Sequence, residues 1–264
     1  MKKERLDVLL VNNGLAASRD KAKRTIMAGL VFINGNREDK PGSTFPQDVE
    51  ITVKGEECPY VSRGGFKIEK AMELYGIYLK DKVCMDIGAS TGGFTDCMLQ
   101  NGARKVYAID VGYGQLDYKL RTDERVVNLE KTNVRYLDYN LITEGIDFIS
   151  IDVSFISLNL IFPVAKEVLN DDGKIICLVK PQFEAGRDQV GKNGIIRDKT
   201  VHAQVIEKVL IYAEENGLYP MGVTYSPVKG AKGNIEYLMY LSKVDTGAII
   251  DINEIVLSSH EELK

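Results

Sequence analysis

The stretch that most constrains this chain is Val83-Cys-Met-Asp-Ile-Gly-Ala-Ser-Thr-Gly-Gly-Phe94, an apolar run that halts at an acid, breaks into glycines and resumes as a helical pattern over Thr95–Leu99. That order predicts strand, tight loop, helix. Gly88, Gly92 and Gly93 permit a sharp turn and a close backbone approach, and the free amides at the start of the helix can seat a polar ligand. Two common loops are excluded. No Lys-Ser or Lys-Thr follows the last glycine, as a phosphate loop requires. The glycines fall G-x-x-x-G-G, whereas dinucleotide-binding loops space them G-x-G-x-x-G.

Around this loop, apolar strand candidates alternate with helical segments: Val83–Ile87, Lys105–Ile109, Val126–Leu129, Phe148–Ile151, Lys174–Val179, Val223–Tyr225 and Ile235–Leu241. The alternation predicts an α/β fold with a mostly parallel, doubly wound, Rossmann-like sheet. Asp86, Asp110, Asp152 and Lys180 each fall at the carboxyl end of an apolar strand, the edge where open α/β sheets bind ligands. Any one could be a helix cap; the four together, beside the glycine loop, favour a site. Asp110 is expected to accept ribose hydroxyls of a nucleoside cofactor. Lys180 ends Ile175–Val179, so burial and a cationic neighbour would favour its neutral amine and make it a base; Asp152, on the adjacent strand, can orient that lysine or the substrate hydroxyl. Alternation makes Glu236 a surface residue of an edge strand.

Residues 1–57 read as a separate small α+β module. Leu6, Leu9 and Leu10 recur at helical spacing, and Ser18 caps a second helix with apolar positions Ala22, Ile26 and Met27. Gly29 closes it, and Val31–Ile33 runs into an Asn34-Gly35 hairpin turn. Within the first thirty residues Lys2, Lys3, Arg5, Arg19, Lys21, Lys23 and Arg24 outnumber Glu4, Asp7 and Asp20, while the whole chain carries a net charge of −4, so any nucleic-acid face is local. Residues 58–62, following the acidic pair Glu56-Glu57, read as a linker, 63–245 as the large domain and 246–264 as a tail. Cys58, Cys84, Cys97 and Cys177 form no C-x-x-C pair, which points to a reduced, cytoplasmic compartment. No apolar run reads as a signal peptide or is long enough to cross a bilayer.

An acid at a strand end followed by Gly-x-x-x-Gly-Gly resembles the first motif of S-adenosylmethionine (SAM) methyltransferases, in which the loop backs the methionine part of the cofactor. The chain lacks the Asn/Asp-Pro-Pro-aromatic of amino-methylating enzymes, having Ile151-Asp-Val-Ser-Phe155, and lacks the Pro-Cys nucleophile of cytosine-carbon methylation, having Lys180-Pro-Gln182. A hydroxyl acceptor remains. Arg5-Leu-Asp together with Ser18-Arg19-x-x-Ala22-x-x-x-Ile26-x-x-Gly29-x-Val31-x-Ile33-Asn34-Gly35 resembles the alpha-L RNA-binding fold of the ribosomal small-subunit protein-four type. That resemblance implies RNA contacts from Arg5, Ser18, Arg19, Lys21, Lys23 and Arg24.

With Ser62–Lys67, Asp86–Phe94, Lys131–Arg135, Ile151–Ser157, Leu178–Glu184 and Gly233–Glu236, the chain is similar over nearly its whole length to the TlyA family, an RNA-binding module fused to an FtsJ-like ribose 2′-O-methyltransferase. The family's Lys-Asp-Lys-Glu tetrad would fall on Lys67, Asp152, Lys180 and Glu236, choosing Lys67 over Lys70. Its SAM site would comprise Asp86, Gly88, Ala89, Ser90, Gly92, Gly93, Phe94, Asp110 and Asn133, with no metal. The resemblance implies S-adenosyl-L-methionine as cofactor and cytidine ribose in ribosomal RNA, within ribosomal subunits, as substrate. The hemolysin label often given to this family has no membrane-seeking segment to support it here.

Overall fold

A computed structural model of the chain describes residues 3–27, 29–54, 58–186, 189–191 and 194–263. It divides into two compact units, Met1–Arg63 and Gly64–Lys264. Lys2, Glu56, Glu57 and the expected module boundary at 57 lie outside the described residues.

The small unit runs β1 (Lys3–Arg5), α1 (Leu6–Asn12), α2 (Arg19–Met27), β2 (Val31–Ile33), β3 (Asn36–Arg37), β4 (Thr44–Pro46) and β5 (Ile51–Val53). β1 pairs antiparallel with β4, and β2 lies between β3 and β5. Asn34 and Gly35 both have positive φ, 49° and 78°, the geometry of the two-residue hairpin that this dipeptide favours. Leu6, Leu10, Ala22, Ile26, Val31 and Ile33 form the core. Each fully buried Leu or Ile there is worth about 1.5–3 kcal/mol relative to exposure. Met27 is 44% exposed, contrary to its expected place in the core. It sits one position, about 100° of helix rotation, past Ile26, off the stripe that Ala22 and Ile26 share.

The large unit runs α3 (Gly64–Tyr75), β6 (Val83–Ile87), α4 (Gly93–Gln100), β7 (Lys105–Ile109), α5 (Tyr118–Arg121), β8 (Val126–Leu129), β9 (Ile146–Ile151), α6 (Phe162–Val168), β10 (Leu169–Val179), α7 (Pro181–Glu184), α8 (Lys199–Glu215), β11 (Tyr219–Tyr225), β12 (Tyr237–Ser242) and α9 (Ile252–Glu262). Its sheet has the order β11-β12-β10-β9-β6-β7-β8. β10, β9, β6, β7 and β8 are parallel, and β12 is antiparallel to both β10 and β11. The chain leaves β6 toward β7 and β8, then returns to the other side of β6 with β9. The strand order therefore reverses between β6 and β9, which opens a crevice beyond their carboxyl ends.

Three expectations need correction. Glu236 is 2% exposed, not a surface residue of an edge strand. β12, which follows it, lies inside the sheet, where alternation no longer separates a wet face from a dry one. The segment read as a tail contains α9, whose Val256 and Ser259 are buried and whose first turn is capped by Asp251 accepting from the Glu254 amide at 3.0 Å. Tyr60 and Val61, read as linker, are buried as well.

Candidate active site

The switch point is built by backbone. Gly88 and Ala89 donate to the Ile109 carbonyl at 2.8 and 3.0 Å, and the Asp152 amide donates to the Ile87 carbonyl at 2.9 Å, so the exits of β6, β7 and β9 are laced together. Gly88 has φ +87°, and a Cβ there would lie 2.9 Å from the Asp152 carbonyl carbon. Beside it opens a cleft of about 410 Å³ whose walls include Gly88, Ser90, Asp110, Asn133, Val134 and Asp152. Asp110 fixes the rim: one carboxylate oxygen accepts from the Ser90 amide at 2.8 Å, the other from the Gly112 amide at 2.7 Å. Asn133 caps the next short turn by accepting from the Arg135 amide at 3.2 Å.

Four of the nine expected cofactor residues, Gly88, Ser90, Asp110 and Asn133, line this cleft. Asp86, Ala89, Gly92, Gly93 and Phe94 are not among its walls. Asp86 is fully buried. Its carboxylate accepts from the Thr95 amide (2.9 Å), the Thr95 hydroxyl (2.7 Å) and the Ser150 hydroxyl (3.0 Å), so it braces the start of α4. Burial pushes this carboxyl up to about 6 against the pull of those hydrogen bonds. Gly92, at φ +93°, is needed for packing, since a Cβ there would lie 2.8 Å from the Leu116 side chain.

Next to the cleft, four charged side chains from separate elements meet. Lys67 Nζ on α3 is 2.7 Å from Glu236 Oε2 and 3.7 Å from Asp152 Oδ2, and Lys180 Nζ is 2.5 Å from Asp152 Oδ1. Lys180 also donates to Ser154 Oγ at 3.1 Å. Two lysine amino groups thus face two carboxylates, an arrangement in which a nearly dry site can hold charge. Burial works against the Lys67 ammonium, but Asp152 and Glu236 outweigh it and hold its pKa above the ordinary lysine value. Burial likewise opposes the Asp152 carboxylate, and Lys67 and Lys180 keep its pKa below the usual range. Lys70, the neighbouring candidate, is engaged elsewhere: it donates to the Tyr225 carbonyl at 2.9 Å and lies 3.6 Å over the Tyr225 ring.

Other residues at the site escaped the sequence reading. Phe155 is 90% exposed, has φ +63°, rare for an aromatic residue, and sits with its ring centroid 4.7 Å from that of Phe183. Gln182 donates to Glu236 Oε1 at 3.3 Å, while its own Oε1 is buried without a hydrogen-bond partner. Periodicity carries no signal for either, because both lie in turns; a bare phenylalanine three residues past a strand-end acid is the only hint. Among the described residues no group of His, Cys, Asp and Glu could hold a metal ion.

In the small unit, Asp7 is fully buried and receives Arg5 Nε and Arg19 Nη2, each at 2.9 Å. Burial opposes its charge, but the two guanidinium groups prevail and hold its pKa below the ordinary value. Lys23 pairs with Asp20 at 3.0 Å, and Ser18 Oγ accepts from the Lys21 amide at 3.2 Å as a helix cap. Arg19, Lys21, Lys23 and Arg24 all sit on α2.

Comparison with known proteins gives the family. Residues 60–243 match the FtsJ-like methyltransferase family and residues 4–51 the S4 domain. The chain belongs to the TlyA family of rRNA methyltransferases. It is 55% identical over 91% of its length, and 86% of the relative's, to the Bacillus subtilis protein named "Putative rRNA methyltransferase YqxC". It is 42% identical over 91% of its length, and 90% of the relative's, to the Mycobacterium tuberculosis protein named "16S/23S rRNA (cytidine-2′-O)-methyltransferase TlyA". Among solved structures, one titled "Putative hemolysin from Streptococcus thermophilus" superposes with a TM-score of 0.78 at 49% identity, covering 99% of this chain and 97% of that one. Despite that title, no helix among the described residues of this TlyA-family chain is long and apolar enough to cross a membrane.

Proposed function

We propose that this protein transfers a methyl group from S-adenosyl-L-methionine to the ribose 2′-oxygen of a cytidine in ribosomal RNA, in the cytoplasm, with residues 1–57 capturing the RNA and residues 63–245 performing the chemistry. The observation that carries the reading is that Asp152 belongs to both halves of the site, lining the cleft and lying 2.5 Å from Lys180.

The cleft suits a nucleoside-sized cofactor in volume and chemistry. Asp110 at the strand end can accept ribose hydroxyls, Gly88 and Ser90 form one wall, and Ile109 and Val134 offer apolar surface to a base. Bound there, SAM would supply a methyl group carried on a sulfonium, open to in-line attack by an oxygen lone pair.

A ribose hydroxyl is a poor nucleophile at neutral pH, so a base must share its proton as the methyl moves. Lys180 is the amine next to the cleft; Asp152 and Ser154 aim it, and Lys67, held charged by Glu236 and Asp152, keeps Asp152 in place. Phe155, backed by Phe183, gives the target base a surface on which to stack. The thiols argue against a cysteine route: Cys84, Cys97 and Cys177 are buried, and burial pushes the Cys84 and Cys177 thiols up.

The test is incubation of the protein with labelled SAM and separated ribosomal subunits, followed by mapping of the methylated ribose. Lys180→Arg keeps a cation that stays protonated. It should leave SAM and rRNA affinity in place and lower turnover by about two to four orders of magnitude, the span for losing a general base. No methyl transfer by the unaltered protein would reject the function. Near-normal turnover in folded Lys180→Arg would reject the base.

A further inference from the structure

Three consecutive residues of α7, the single turn that follows Lys180, reach three different parts of the site. Gln182 holds Glu236, Phe183 packs against Phe155, and Glu184 crosses to the segment that leaves β9. Glu184 is 4% exposed. Its Oε2 accepts from Ser157 Oγ at 2.8 Å and its Oε1 from the Leu158 amide at 2.7 Å. The turn itself is anchored without that carboxylate, because Lys208 Nζ donates to the Glu184 backbone carbonyl at 2.8 Å.

A helix-capping role does not account for a carboxylate buried there. The short turn Leu158–Leu160 already has a local cap in Ser157, whose Oγ accepts from the Asn159 amide at 3.3 Å. What Glu184 adds is a link between two strand exits. On one side is Lys180; on the other is the stretch 152–157, with Asp152 and Ser154 against Lys180 and with Phe155 in a left-handed conformation that an aromatic side chain holds only when its surroundings impose it.

We infer that Glu184 is a positioning residue for methyl transfer: by gripping Ser157 and Leu158 it holds the β9 exit loop in register with Lys180 and keeps the Phe155 ring presented. This rests on the reading above of Lys180 and Phe155 as acceptor-side groups. Reach, rather than charge, is what the grip requires. Glu184→Gln retains the length and an acceptor for the Leu158 amide, whereas Glu184→Asp retains the charge and falls one bond short.

Both variants are made in the full chain, with turnover on ribosomal subunits, KM for the subunits and calorimetric SAM affinity measured. Glu184→Gln should stay within about threefold of the parent. Glu184→Asp should lose about 10- to 100-fold in turnover, the range for a reacting group misplaced by about 1 Å, with SAM affinity within about twofold. The chain contains no tryptophan, so Phe155→Trp reports on the loop alone. Its fluorescence anisotropy should fall when Glu184→Asp is added. Equal turnover in the Asp and Gln variants overturns the inference. So does a loss of SAM affinity that parallels the loss of turnover, since Glu184 would then support the whole unit. If the unaltered protein transfers no methyl group, the function proposed above fails and the methyl-transfer role of Glu184 falls with it, while the anisotropy decides separately whether Glu184 grips the loop: a fall upholds the grip, no change overturns it.

Discussion

Replacing Gly88 with alanine tests whether the cofactor loop and the acceptor site share a wall. The added Cβ would sit 2.9 Å from the Asp152 carbonyl carbon, closer than real Cβ contacts come, and the obstacle is backbone that cannot swing aside. Relieving it moves one strand exit against the other by several tenths of an ångström or more. Overpacking of this kind costs about 1–3 kcal/mol. Holding a Cβ at φ +87° adds about 1–2 kcal/mol. Gly76→Ala is the control, because Gly76 has φ +61° with nothing within 4 Å of its would-be Cβ, so it carries the backbone penalty alone. Urea denaturation should therefore rank Gly88→Ala below Gly76→Ala by about 1–3 kcal/mol, the overlap alone. The displaced Asp152 should also lower turnover by up to about 100-fold, while Gly76→Ala turns over normally. Equal stability of the two variants, or parent-like turnover in Gly88→Ala, would refute the shared wall.

Two further outcomes follow from buried and exposed charge. His202 is 1% exposed, with Nδ1 2.7 Å from the Tyr237 hydroxyl, and burial, with His260 close by, lowers its pKa from 6.5 to about 4. The unfolded chain therefore takes up the proton first: stability is intact above about pH 6.5 and falls by about 3 kcal/mol as the pH drops toward 4. Urea midpoints measured across that window should slope less in His202→Gln, and an unchanged slope would exclude His202 as the source. On α2, Lys21→Gln and Lys23→Gln should each reduce the slope of log affinity for rRNA against log salt by about 0.7–0.9. Filter binding at graded salt reads this directly, and an unaltered slope would remove α2 from the RNA face. Arg19 is the wrong probe, since an acid placed there would face the buried Asp7.

The strand-end acids were legible because a polar residue that stops an apolar run is a local event in the sequence. So were the Asn34-Gly35 hairpin and the helix end at Gly29, where backbone conformation selects the residue type. What Asp86 does was not legible. The difference between a brace for α4 and a contact in the cleft depends on which way a buried carboxylate turns, and its partners Thr95 and Ser150 lie far apart in the chain. Glu236 was misjudged because alternation assumes one wet face, and strand order decides whether that face exists. Phe155 and α9 were missed for opposite reasons: one breaks the rule that aromatic rings hide, and the other offers only a narrow apolar stripe, Ile252, Ile255 and Val256.

If the Lys180 cluster acts as proposed above, the insertion of β12 between β10 and β11 also bears on when the protein becomes active. Glu236 and Lys67 are 169 positions apart, and among the described residues β11 has no neighbour in the sheet except β12. As the chain leaves the ribosome, β6 to β10 can pair and shape the cleft while β11 stays unpaired. Only when the strand after Glu236 has been made and threaded into that gap does Lys67 gain its second carboxylate. A chain that stops short of β12 would have a cofactor cleft but an unfinished acid–base cluster. On the mechanism proposed above, methyl transfer would therefore wait for completion of the whole sheet, in which β12 must join β10 across a stretch of chain about as long as the one that separates β6 from β9.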